Sequence, residues 1–136
     1  MRLKPLSPDE AYASWGWIRS GLLAVIERNE KARFLPEDVY MRVRNGTAWI
    51  WTIGEDEIGF MVLTQEFDPD GLVMYIWALW LEPDSGRPHE GEIYEALEDL
   101  ARSIKAKRVR MQSSRKAWER REFFEQVSTV YEHEVT

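Results

Sequence analysis

The 136-residue sequence predicts a single α+β domain, in which about four helices flank a mixed, mostly antiparallel sheet of about six strands. Apolar residues recur at three- and four-residue intervals in some segments and alternate with polar residues in others, as in helices and strands respectively. Three strand-like segments in the middle of the chain are joined only by short turn-forming segments, as in antiparallel sheets. No internal repeat or linker divides the chain, so we expect residues 1–136 to form one domain.

The N-terminal part predicts a strand at residues 2–6 and then a helix. Ser7, Pro8 and Glu10 predict the start of this helix, because serine at the cap and glutamate three residues later form a capping box. The helix is expected to run to about Asn29. Large apolar residues at helical spacing give it a buried stripe: Trp15, Ile18, Leu22 and Ile26.

The middle of the chain predicts a short helix and a three-stranded meander. Proline and two acids at 36–38 start the helix, and Asn45-Gly46 ends it. The strands are expected at 47–53, 58–67 and 72–81. The third strand is the most apolar segment of the chain, so we expect it inside the sheet with both faces covered.

The C-terminal part predicts a helix at residues 90–105 and a strand at 108–112. A helical crossover makes this strand parallel to the strand at 72–81. A last helix at 114–124 and a last strand at 127–135 complete the order.

Aromatic residues alternate along the predicted strands. Trp49 and Trp51 share one face, as do Tyr75 and Trp77, whereas Trp80 is expected on the face opposite Trp77. We interpret these residues as sheet core. The alternative is that some of them form an exposed patch for a partner.

The composition excludes several kinds of site. Without cysteine, the chain has no disulfide, thiolate metal site or cysteine nucleophile. The two histidines, His89 and His133, have no companion at ligand spacing, so no metal is expected. The N-terminus lacks the apolar run of a signal peptide, and no segment approaches the roughly 20 apolar residues of a membrane span, so we expect a soluble protein.

The net charge of −6 disfavours generic binding to nucleic acid, whose phosphates must be neutralised by Lys and Arg. Residues 102–121 nevertheless hold nine Lys or Arg and one acid, Glu119, whereas residues 82–99 are strongly acidic. The simplest interpretation of the basic run is a solvated surface. The alternatives are an anion site, or contact between copies or with an acidic partner.

Residues 79–97 read as the end of a buried strand, a Pro/Gly loop and the first turns of an amphipathic helix. They contain the pattern Leu79-x-Leu81-x-Pro83-Asp84, followed by Gly91 and then by Ala96-Leu97. Together with the order of elements, this pattern resembles the GCN5-related N-acetyltransferase (GNAT) fold over nearly the whole chain. Residues 114–124 resemble the last helix of that family.

The resemblance implies an acetyl-CoA site in which backbone N–H groups at a helix N-terminus hold the pyrophosphate and small residues let it approach. The family's loop has Arg or Gln, two residues, Gly, one residue, and Gly or Ala. Aligning Arg87 with the motif arginine puts Glu90 and Glu92 at the small positions. Aligning Gly91 with the last glycine instead puts Gly86 at the arginine position and His89 at the first glycine position, so neither register keeps the motif. The remnant cofactor-binding residues that the resemblance implies are Leu81, Gly86, Arg87 and Gly91.

The charges and donors of this loop oppose a doubly charged pyrophosphate. Pro88 removes one N–H donor. Like charges at about 4 Å repel by on the order of 1 kcal/mol each in water and by more near a protein surface, so Arg87 is not expected to offset the acids. We therefore expect no cofactor, with acetyl-CoA expected only if the chain is an active enzyme. The acids around the loop are Glu82, Asp84, Glu90, Glu92 and Glu95.

Acetyl transfer in the family needs a base for the acceptor amine and often a tyrosine acid for the leaving thiolate. The position of that tyrosine holds Trp118, which cannot supply a proton in this way. The weak catalytic candidates are Glu82 and Tyr75, with Glu66 and Tyr94 as further carriers of a carboxylate and a hydroxyl. For each we favour a structural role, because core tyrosines usually pack and strand-end glutamates are usually solvated.

These observations favour a GNAT-fold protein with a degraded coenzyme loop that serves in binding or assembly. It resembles GNAT-like proteins encoded by tailed phages, some of them virion components, which would place it in the host cytoplasm or the virion. Its partner would be a protein or a second copy held by opposed charged faces, with no membrane and no nucleic acid. The alternatives are an acetyl-CoA-dependent N-acetyltransferase acting on an amine, and a phage inhibitor of a host factor.

Overall fold

The computed structural model describes residues 1–29, 32–85, 89–112, 123–127 and 131–135. The described strands form one sheet in the order β1-β2-β3-β4-β5, in which only the β4–β5 pair is parallel. The mixed, mostly antiparallel architecture is therefore confirmed. None of the described helices is long and apolar enough to cross a membrane. The elements are β1 (Leu3–Leu6), α1 (Pro8–Ala13), α2 (Trp15–Arg28), α3 (Pro36–Arg44), β2 (Trp49–Ile53), β3 (Gly59–Asp68), β4 (Gly71–Leu81), α4 (Glu90–Ser103) and β5 (Arg108–Met111).

The first helix begins as predicted but ends early. The Ser7 hydroxyl accepts the Glu10 N–H at 3.1 Å and the Glu10 carboxylate accepts the Ser7 N–H at 3.0 Å, which is the complete capping box. The expectation of one helix running to Asn29 is wrong, because the backbone leaves the helical conformation at Ser14 and α2 starts anew. The break lets α1 pack on β1 while α2 packs on β4. Ser14 and Gly16 are weak helix formers, so interrupting the helix near them costs little free energy.

The sheet described here has five strands, and the predicted sixth falls partly outside the described residues. Residues 128–130 of that strand are not described, and its described residues, 127 and 131–135, are not in a strand. Residues 114–122 of the predicted last helix, 114–124, also lie outside the described part. The parallel strand after α4 is confirmed, pairing with β4 from Val73–Arg108 to Ile76–Met111.

Two apolar clusters cover the two faces of the sheet. One cluster joins the sheet to α1, α2 and α3, and its fully buried residues include Ile18, Leu22 and Phe60. The other joins the opposite face to α4 through Ile93 and Leu97. β4 contributes to both clusters and lies inside the sheet, so the prediction that its two faces are covered is confirmed.

A β-bulge in β4 changes which face its tryptophans occupy. Val62 pairs with Ala78 and Leu63 pairs with Ile76, so Trp77 is an extra residue in the β4 strand. One extra residue reverses the alternation of all side chains that follow it. Trp77 and Trp80 consequently pack against the same cluster. The expectation that they lie on opposite faces is therefore wrong.

Candidate functional site

The end of β4 is held in place beyond the last strand residue. Leu81 is partly buried and packs against the cluster beneath α4. The N–H of Glu82 donates to the carbonyl of Ile58 at 2.7 Å, and the N–H of Ser85 donates to the carbonyl of Glu82 at 3.1 Å. Asp84 adopts a left-handed conformation with φ 65°, which turns the chain away from the sheet. Two remnant loop candidates, Gly86 and Arg87, lie outside the described residues.

The first turn of α4 is not capped by its own N-cap residue. The His89 side chain makes no capping hydrogen bond to the backbone donors that the first turn of a helix leaves unpaired. A Cβ built on Gly91 would meet nothing within 4 Å, so packing inside the chain does not require a glycine there. This backbone arrangement suits an anion at the helix N-terminus.

The charge around this turn does not suit an anion. Glu90 and Glu92 lie in the first turn of α4, and in the whole segment 82–101 Arg87 is the only lysine or arginine, against seven acids. Carboxylates at a helix N-terminus also interact favourably with its dipole and so take the place of a bound anion. The acids around this turn therefore oppose a doubly charged anion, and residues 86–88 of the loop lie outside the described part.

Glu82, a candidate base, is tied to α2. Its Oε1 accepts a hydrogen bond from the indole N–H of Trp17 at 3.2 Å. The Trp17 ring packs on Phe60 and Trp80, with ring centroids 5.5 and 5.7 Å away. Glu82 thus anchors the end of β4 to the aromatic part of the core, a contact that the sequence did not predict.

Tyr75, the other catalytic candidate, lies near the middle of β4. At roughly 3.3 Å per residue, the seven residue steps from it to Glu82 span about 20 Å, so the two cannot serve one reacting group. Its hydroxyl is 3.5 Å from Oε1 of Gln112. Burial and the nearby Glu66 carboxylate raise the pKa of Tyr75 above its ordinary value, so the phenol stays protonated near neutral pH.

The two further candidates also have structural partners. The carboxylate of Glu66 accepts from Arg110 at 3.1 Å. The hydroxyl of Tyr94 donates to Glu90 at 2.9 Å, and its ring stacks on Phe123 with centroids 4.8 Å apart. Of the four candidates, Glu66 and Tyr75 lie near each other, and each of the four has a structural partner.

β4 and β5 separate at the middle of the sheet. Their ladder ends at Ile76 and Met111, whereas β4 continues for five residues to Leu81. Within the described part of the chain, the β5-facing edge of β4 from 77 to 81 has no strand beside it. The β4–β5 ladder thus ends next to the bulge at Trp77, and residues 113–122, which follow β5, lie outside the described part.

Two arginines of the basic run, residues 102–121, belong to an ion-pair network that the sequence did not reveal. Arg108 and Arg110 of β5 pair with Asp68 and Asp70 at the β3–β4 turn, and Arg110 also reaches Glu66. The alternation Arg108-x-Arg110 and the acidic turn were visible in the sequence. Their pairing required the register of two distant strands, which no local pattern supplies.

The histidines and carboxylates do not gather into a metal site. Within the described residues, no group of three or more His, Asp or Glu side chains could hold a metal ion.

Comparison with solved structures identifies the fold. An aminoglycoside acetyltransferase from an uncultured soil metagenomic sample, solved with sisomicin, superimposes with a TM-score of 0.69 at 12% identity, over 99% of this chain and 96% of the other. A ribosomal-protein-alanine N-acetyltransferase from Brucella melitensis gives 0.67 at 12% identity, over 100% and 99%. A predicted acetyltransferase from Clostridium acetobutylicum, solved with acetyl-CoA, gives 0.67 at 15% identity, over 98% and 95%.

The chain has a GNAT-like fold. At these identities the likeness establishes the fold alone. No family model matches the sequence, and no curated protein matches it. The segment from β4 to α4 is the stretch to which the sequence resemblance assigns acetyl-CoA. Its described part has the strand before the loop and the helix after it. Between residues 82 and 101, the Asp, Glu, Lys and Arg residues of that described part are all acids.

Proposed function

We propose that this GNAT-fold chain acts by binding a macromolecular partner and does not transfer acetyl groups. The observation that carries the proposal is the start of α4, where Glu90 and Glu92 occupy the turn that would face a pyrophosphate. A dianion placed there meets like charge at close range, and the dipole of α4 is already matched by carboxylates. In this proposal the coenzyme loop is degraded and the layout of the site is retained for structural reasons.

The catalytic candidates support the same proposal. Glu82 is bonded to Trp17, and Tyr75 is about 20 Å away from it along β4. Proton transfer requires the acid or base within hydrogen-bond reach of the reacting group. Two groups at this separation do not provide that for one amine and one thioester.

The partner would be a protein or a second copy of this chain, and nucleic acid or a membrane is not expected. Glu92 and Glu95 are exposed along α4, so a basic partner surface suits this helix. The basic segment offers less free charge than its sequence suggests, because Arg102, Arg108 and Arg110 are paired with acids of the same chain. A phage virion component or a protein of the host cytoplasm fits this proposal.

Calorimetry with acetyl-CoA on the full chain tests the proposal. We expect no heat of binding up to millimolar acetyl-CoA for the unmodified protein. We expect the double variant Glu90→Gln, Glu92→Gln to gain measurable affinity, since it removes the two charges closest to the helix start. Submillimolar binding by the unmodified protein that weakens on Arg87→Ala would contradict the proposal.

The second candidate function is acetyl-CoA-dependent transfer to an amine. The end of the β4–β5 ladder favours it, because no strand of the described part lies beside the β5-facing edge of β4 after Ile76. Two acetyltransferases and a predicted acetyltransferase solved with acetyl-CoA also superimpose over nearly the whole chain. This function predicts acetylation of a small amine panel that depends on Glu82, and the variant Glu82→Gln with Glu95→Gln as its control would reveal it.

A further inference from the structure

Apolar burial holds β5 weakly. The strand pairs with β4 through four residues only, and none of its own residues is fully buried. β2, β3 and β4 each contain fully buried residues. Segments with little apolar burial open most readily in native proteins. Another interaction is therefore needed to fix the position of β5.

Charged side chains supply that interaction. The guanidinium of Arg108 donates to both carboxylate oxygens of Asp70, at 2.8 and 2.6 Å, and to Asp68 at 3.1 Å. The guanidinium of Arg110 donates to Asp68 at 2.8 and 3.2 Å and to Glu66 at 3.1 Å. Paired donors on carboxylates are the strongest form of this contact and fix its geometry. We call these five residues the charged clasp.

The charged clasp spans β4 and contains no residue of that strand. Its acids lie on β3 and in the β3–β4 turn, its arginines lie on β5, and β4 between them contains no charged residue. Val73 of β4 pairs with Glu66 on one side and with Arg108 on the other, and it is fully buried. Arginine stems cover apolar surface while their charged ends reach a partner. The charged clasp thus joins β3 to β5 across one face of β4, the strand between them.

We infer that the charged clasp, more than apolar burial, fixes the position of β5 on β4. The clasp lies at the start of the β4–β5 ladder, where Val73 pairs with Arg108, so it acts as the fixed end of β5. This inference goes beyond the proposed function, because it concerns the position of β5 whether or not a ligand binds.

The charge state of the clasp supports this role. Hydrogen bonds from Arg110 and Arg108 hold the pKa of Asp68 and of Asp70 below their ordinary values. The other titratable groups facing the clasp are Lys107, which adds positive charge near Asp70, and Tyr75, which stays neutral. Asp68 and Asp70 are therefore charged throughout the neutral range.

Hydrogen exchange read by mass spectrometry on the full chain tests the inference. The variant Arg110→Gln keeps most of the side-chain stem and removes its charge. We expect it to raise the amide exchange rate of a peptide covering residues 106–112 by about fivefold, because losing a paired, partly exposed charge makes local opening moderately easier. Exchange in a peptide covering 49–63 should stay unchanged. About 1 M salt should have the same effect on the unmodified protein, since it screens exposed charges.

Two further variants keep the result decisive. Arg44→Gln removes an arginine that pairs with Asp9 and Tyr40 on the helical side, so it should leave β5 exchange unchanged. Glu66→Gln removes one clasp contact and leaves Arg110 bonded to Asp68, so it should give a smaller increase than Arg110→Gln. Unchanged β5 exchange in Arg110→Gln, or an equal rise in Arg44→Gln, would overturn the inference. If Arg110→Gln does not fold, unchanged β5 exchange in Glu66→Gln would overturn it.

Discussion

Gly21 is the residue at which α2 comes closest to the sheet, and its replacement tests the packing directly. A Cβ at this position would lie 2.5 Å from Cε1 of Phe60 and 2.8 Å from Cδ2 of Trp80. Both distances are shorter than carbon atoms tolerate, and the Phe60 ring is fully buried, so it has no free space to move into. Gly21→Ala therefore forces α2 away from β4 or forces the rings out of their rotamers.

The expected cost follows from two opposing effects. Overpacking a well-packed core typically destabilises by about 1–3 kcal/mol, and occasionally by more. Alanine in a helix interior is about 1 kcal/mol more favourable than glycine, which offsets part of that loss. We expect Gly21→Ala to lower the free energy of unfolding by about 2 kcal/mol, because the backbone of α2 must shift as well as the rings.

Urea denaturation followed by tryptophan fluorescence measures this change as a shift of the midpoint at constant slope. Gly16→Ala is the matched control, since it lies in the same helix and its Cβ would meet nothing within 4 Å. We expect Gly16→Ala to be neutral or stabilising by up to about 1 kcal/mol. If Gly21→Ala is as stable as Gly16→Ala, the contact between α2, Phe60 and Trp80 is not as close as described.

Three further changes test the edges of the site and the capping box. Gly59→Ala should prevent normal folding or lower the melting temperature sharply, because its Cβ would collide with the Trp80 backbone carbonyl; normal soluble expression and melting would refute this. Trp17→Phe removes the hydrogen bond to Glu82 and should cost about 1 kcal/mol in urea denaturation, with Glu82→Gln retaining most of the stability; equal loss in both would refute it. The Ser7 N–H lowers the pKa of Glu10 below 4.5, so the capping box stabilises the fold above about pH 4.5 and loses this contribution as the pH falls through the lowered pKa. Glu10→Gln should therefore make stability less dependent on pH in acid, and an unchanged acid profile would count against it.

Local chemistry made part of the fold predictable. The capping box of Ser7 and Glu10 involves residues three apart, so the sequence contains both partners side by side. The meander was likewise visible, because each turn is short and each strand has the residues that strands favour. The parallel position of β5 followed from the helix between it and β4.

Features that depend on distant contacts were not predictable. The break at Ser14 arises because α1 and α2 pack on different strands. The bulge at Trp77 has no proline or glycine to mark it, and it reversed the expected side of Trp80. Trp17 and Glu82 are 65 positions apart, so their hydrogen bond could be found only once α2 was placed on β4.

The candidate site was predictable in outline and not in arrangement. The sequence located the end of β4, the loop and the start of α4, and the described residues of that stretch have this order. With Arg87 aligned to the motif arginine, Glu90 and Glu92 take the small positions, which stays a prediction. The sequence did not show that the arginines of β5 are paired with Asp68 and Asp70.

The central proposal is that the start of α4 does not accept the pyrophosphate of acetyl-CoA. The most direct test is a titration of isotope-labelled protein with acetyl-CoA, in which the backbone amide signals of Gly91 and Glu92 are followed by nuclear magnetic resonance. We expect both amide signals to stay in place up to millimolar ligand, because the neighbouring carboxylates repel the phosphates. A saturable shift of both signals at submillimolar acetyl-CoA, lost in Arg87→Ala, would contradict the proposal and favour the acetyltransferase.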